Sequence, residues 1–61
     1  MPAPKPTREE REEELAAMMR AGMRDELYAL YARAYGSMPP IGSLGSQIIE
    51  AILDHEYPPK G

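Results

Sequence analysis

A chain of 61 residues with a net charge of -3, no cysteine and one histidine is at most one small domain, with a core near the lower limit of independent stability. The composition excludes disulfide staples and a thiolate zinc site, and no run approaches the roughly 20 apolar residues that cross a bilayer. Such a chain folds on efficient helix packing alone, or gains stability from a partner or a second copy. The opening Met-Pro-Ala-Pro-Lys-Pro lacks the apolar middle region of a secretory signal, so a cytoplasmic or virion-associated location is expected.

The distribution of charge says more than its sum. Residues 1–25 carry five basic and six acidic groups, residues 26–61 two basic and four acidic, and no Lys or Arg lies between Gly36 and Pro59. Attraction to phosphate supplies essentially all non-specific nucleic-acid affinity. The second half of the chain cannot supply it.

Taken in order, residues 1–6 hold three prolines and read as a flexible, extended leader. Thr7-Arg-Glu-Glu10 matches a capping box, and the glutamates at 9, 10, 12, 13 and 14 meet the positive end of a helix dipole. From there Leu15, Met19, Met23, Leu27, Leu30 and Ala34 recur at spacings that keep them within a stripe about 120° wide. Gly22 costs about 1 kcal/mol against alanine in a helix. Because the stripe keeps its phase across Gly22, one long helix over about residues 8–35 is expected, with a kink at Gly22 as the alternative. Gly36 is the expected stop.

Ser37 to Gly45 contains Pro39-Pro40, Gly42 and Gly45 and reads as an ordered loop, with Ile41 and Leu44 expected to pack down. Ser46, or Ser43, is the expected N-cap of a short helix over about 46–56, in which Ile48, Ile49, Ile52 and Leu53 form an apolar face. Pro58-Pro59 stops it, and residues 58–61 are a tail. The predicted fold is all-α. A single domain over 7–57 packs the short helix antiparallel on the C-terminal half of the long one.

Few residues point to chemistry. His55 stands between Asp54 and Glu56, but adjacent helical residues point about 100° apart and do not converge on an ion. No phosphate loop and no nucleophile with a histidine partner is present. A non-enzymatic chain is therefore expected, with no metal, no cofactor, no small-molecule substrate and no membrane. Met18, Met19 and Met23, beside Leu15, are the candidates for a partner-binding face, since methionine is over-used on adaptable surfaces and the short helix does not reach them. Alternatively the arm folds back at Gly22 into a three-helix core. Tyr28, Tyr31 and Tyr35 form a row on the first helix, either an interface or a core rim, and Tyr57 is a candidate to join it.

Helix, glycine stop, extended loop and a second helix opening on serine resemble the helix–extended loop–helix group, which includes SAP and LEM-type domains. Leu27, Leu30, Gly36, Ser43 or Ser46, Ile49 and Ile52 carry the resemblance, which covers about residues 23–56. SAP-like domains bind DNA, and here Arg20, Arg24 and Arg33 would have to serve. The basic residues usual at their loop and second-helix start are replaced by Ser43-Leu-Gly-Ser-Gln47, which favours the protein-binding, LEM-type side of the resemblance. The expected function is a protein–protein interaction module or small regulator, of the kind a phage or bacterium uses, with self-association to a homodimer as its simplest form. A SAP-like nucleic-acid-binding module and a small structural subunit of a virion or filament are the alternatives.

Overall fold

The computed structural model describes residues 4–59, which form three helices: α1 (Arg8–Arg20), α2 (Arg24–Tyr35) and α3 (Gly45–Glu56). The all-α expectation is met, but the single long helix is replaced by α1 and α2. The cause lies at Ala21-Gly22-Met23. Gly22 takes φ +78°, its N–H donates to the Met19 carbonyl at 3.1 Å, and the Met23 N–H donates to the Met18 carbonyl at 2.9 Å. That pair of reversed bonds is a Schellman motif, which ends a helix where glycine accepts the left-handed conformation. The phase of the apolar stripe is preserved on either side of the break, so periodicity alone could not reveal it.

α1 begins as its sequence dictates. The Glu10 N–H donates to Thr7 Oγ1 at 3.2 Å and the Thr7 N–H donates to Glu10 Oε1 at 3.0 Å, completing the capping box. α2 has no side-chain cap at Met23; Asp25 and Glu26 in its first turn favour that end through the dipole instead. It stops at Gly36, φ +77°, as expected. α3 starts at Gly45 with Leu44 as N-cap, and neither serine caps it. The Ser43 hydroxyl donates to the Pro40 carbonyl at 2.7 Å, while Gln47 Oε1 accepts from the Leu44 N–H at 2.9 Å.

α3 carries four of the six buried apolar residues, Ile48, Ile49, Ile52 and Leu53; α1 adds Leu15 and α2 adds Leu27. Both partner helices pack on this face, with Met18, Met19, Tyr28, Leu30, Tyr31 and Tyr57 around its edge. α1 runs antiparallel to α3: Arg8 pairs with Glu50 and Asp54 at 3.2 and 3.1 Å, and Met19 lies against Gly45, where a Cβ would overlap its Sδ and Cε. A side chain at position 45 would make the end of the Met19 side chain move aside.

One end of the molecule is clasped. Arg11 donates to both carboxylate oxygens of Glu56, Nε at 2.9 Å and Nη2 at 3.2 Å, a bidentate geometry that fixes helix register as well as adding energy. Lys5 Nζ donates to the Glu56 carbonyl at 2.7 Å and lies 4.2 Å from the Tyr57 ring centroid, and the Tyr57 hydroxyl donates to the Pro6 carbonyl. Lys5 and Pro6 of the leader thus contact the end of α3 and Tyr57; the leader's first three residues and tail residues 60 and 61 lie outside the described residues.

Gly22→Ala separates the two helix readings by sign. In a continuous helix it would add about 1 kcal/mol of stability. In the Schellman turn it is expected to cost about 1–2 kcal/mol, the penalty for a left-handed non-glycine residue, read as a lower urea midpoint. The capping box carries a pH signature. Hydrogen bonds from the Thr7 backbone, then from its side chain, hold the Glu10 carboxyl below its ordinary value of 4.5. A depressed folded pKa gives stability that is present above the ordinary value and lost as pH falls through the folded one. Glu10→Gln keeps an acceptor but does not titrate, so its stability is expected to fall less steeply than the parent's below about pH 4.5. Parallel acid-unfolding curves would remove this role.

Candidate interaction surface

The seven residues singled out for partner binding differ in exposure. Leu15 is wholly buried, and Met18 and Met19 are half-buried against the core. The apolar stripe of α1 is therefore occupied by α3 within the monomer. Met23 remains 36% exposed at the corner, where its N–H closes the Schellman turn. Tyr28 and Tyr31 rest on the core edge. Tyr35 stacks between Tyr31, at 4.7 Å between ring centroids, and His55, at 5.3 Å, and its hydroxyl donates to the Ala51 carbonyl. That contact fastens the end of α2 to the second half of α3. Tyr57 does not extend the row but belongs to the clasp, where desolvation first and the Glu56 carboxylate second raise its pKa.

Arg20, Arg24 and Arg33 are all exposed. Arg20 and Arg24 flank the Gly22 corner, whereas Arg33 lies nine residues along α2, about 13 Å away at 1.5 Å per residue. There it shares with Arg11 a shallow groove over Leu30. The three arginines form no continuous basic stripe. Among the described residues, no group of three His, Asp or Glu side chains is placed to hold a metal ion.

The loop between α2 and α3 departs from expectation and supplies the surface. Ile41 and Leu44 were expected to pack down; instead Ile41 is fully exposed, at 106% of its reference area, with Leu44 at 63% and Met38 at 59%. The turn explains this. The Ser43 N–H donates to the Pro40 carbonyl at 3.1 Å, and Gly42 takes φ +87° while Ile41 does not have positive φ. This is a type II β-turn with Ile41 at its second position, the outermost point of the chain reversal. The Ser43 hydroxyl donates to the same carbonyl, so the turn is held twice.

Beside the turn is a hollow of about 250 Å³ lined by Tyr28, Met38, Pro39, Pro40, Ile41 and Gly42. From Gly36 to Ile49 the chain has no ionisable side chain, so projection and hollow share an uncharged surface. Spacing within the sequence held the signal: Pro40-Ile41-Gly42-Ser43 places glycine where a type II turn requires it. The apolar character of Ile41 obscured it, because apolar residues in ordered loops are ordinarily read as buried.

An exposed apex carries no folding energy. Ile41→Asp is therefore expected to leave the urea midpoint within about 0.5 kcal/mol of the parent, as surface substitutions do, whereas Leu15→Ala, which empties a core site at a cost of about 2–5 kcal/mol, is expected to populate the unfolded chain. A large loss with Ile41→Asp would mean that the apex is packed in solution.

Compared with protein-family models, with curated proteins and with solved structures, the chain finds no match.

Proposed function

We propose that the chain is a non-enzymatic protein–protein interaction module that docks through the Met38–Leu44 loop. The observation that carries this reading is Ile41, fully exposed on a turn held by two hydrogen bonds to one carbonyl. Burying such a side chain yields about 1.5–3 kcal/mol, and a turn already fixed loses little further entropy on binding. Met38 and Leu44 flank it as apolar neighbours, and the absence of charge from Gly36 to Ile49 suits an interface centre, where charged residues are depleted. Met23 and Tyr35, the most exposed of the residues singled out from the sequence, are candidates for the rim of a larger contact.

The resemblance to LEM-type domains agrees in class with this reading. The SAP-like alternative would use Arg20, Arg24 and Arg33, and their separation weakens it. A small regulator of a larger machine, or a subunit of a virion or filament, are the biological forms such a module can take, in a cytoplasmic or virion-associated setting. No described helix is long and apolar enough to cross a membrane.

The test is a photoreactive amino acid at position 41, compared with one at Glu13 on the exposed side of α1, in cells that make the protein. Discrete protein adducts are expected from position 41 and not from position 13. Adducts to nucleic acid would favour the SAP-like alternative, and equal or absent adducts at both positions would remove the loop as a docking surface.

A further inference from the structure

The loop carries a projection and a receptacle side by side. Ile41 stands out fully and forms one wall of the adjoining hollow of about 250 Å³, which is large enough for the four-carbon side chain of an isoleucine. A two-fold interface needs this arrangement, because the same patch on both copies must be complementary to itself. We propose that two copies of this chain meet at the Met38–Leu44 loop, each inserting Ile41 into the other's hollow. The inference rests on reading the loop as a docking surface and names its occupant.

Charge selects this face over the others. Each copy carries a net charge of -3, so contacts through the glutamates of α1, or through Asp25 and Glu26 of α2, would set like charges together. Gly36 to Ile49 has none to oppose. The clasp of Lys5, Pro6 and Tyr57 lies at the start of α1 and the end of α3, whereas Leu44 joins α3 at its start, beside the end of α1. The loop leaves α2 near the second half of α3, but none of Lys5, Pro6 and Tyr57 lines its hollow. Three apolar side chains from each copy make an interface at the small end of the range, below about 1,200 Å² in total, so the dimer is a weak one, dissociating on the order of 10 µM to 1 mM. A lipid surface fits less well, since no Lys or Arg lies between Gly36 and Pro59 to meet anionic headgroups.

Sedimentation equilibrium of the purified chain from about 10 µM to 1 mM, at ionic strengths giving Debye lengths of about 10 Å and 5 Å, tests the proposal. The mass is expected to rise from 6.8 kDa towards twice that value, with association unchanged or slightly tighter at higher salt because repulsion between acidic copies is screened. Ile41→Asp and, separately, Met38→Asp are expected to weaken association at least about tenfold, because a charge would enter an apolar contact, with unchanged urea midpoints at about 1 µM, where the parent is also monomeric. A chain that stays at 6.8 kDa throughout, or an Ile41→Asp variant that associates like the parent, would overturn it. Ile41-dependent binding to phosphatidylcholine vesicles by a monomeric chain would also overturn it, with lipid as the occupant. The photoreactive variant keeps the two readings apart. A monomeric chain whose position 41 still labels another protein in cells would sink the second copy alone, and a monomer with no adducts would sink both.

Discussion

Everything in this fold depends on one apolar face being shared by two helices. Ile48, Ile49, Ile52 and Leu53 all lie on α3 and are all buried, whereas α1 and α2 contribute one fully covered leucine each. Neither α1 nor α2 carries enough apolar surface to fold by itself, and α3 is too short to be stable alone in water. With no disulfide or metal to staple it, a domain of this size gains little from a core of six side chains. Using the α3 face from both sides is the arrangement that buries it completely.

That sharing dictates the chain reversal at Gly22. A straight helix from Arg8 to Tyr35 would be about 40 Å long at 1.5 Å per residue, far longer than α3, and its first half would lie beyond reach of the apolar face. Turning back at Gly22 brings Leu15 into the core and Met19 against Gly45. Two glycines thus act together, one by accepting positive φ and the other by leaving room for a methionine. At the opposite end, Arg11 and Glu56 set the register of α1 on α3, and Tyr35 fastens α2 to α3 through Ala51. No buried side-chain nitrogen or oxygen is left unsatisfied among the described residues.

The same economy explains the exposed loop. The core consists of Leu15, Leu27 and the four residues of α3, and the Pro40–Ser43 turn holds Ile41 outward. An isoleucine so exposed adds little to folding. The stretch around it, residues 36–49, carries no charge in an otherwise acidic chain.

Local chemistry by itself determined the all-α class, the capping box at Thr7 and Glu10, the stop at Gly36, the loop around Pro39-Pro40 and the apolar face of α3. Each of these depends on residues within one or two turns of each other. The tertiary structure alone decided that Gly22 ends a helix, because helix phase is the same whether the chain continues or turns back, and only the competition for the α3 face separates the two. It also decided that Leu15, Met18 and Met19 face inward while Ile41 and Leu44 face out. Hydrophobicity states what burial is worth to a side chain; the turns at Gly22 and Gly42 decide which side chains obtain it.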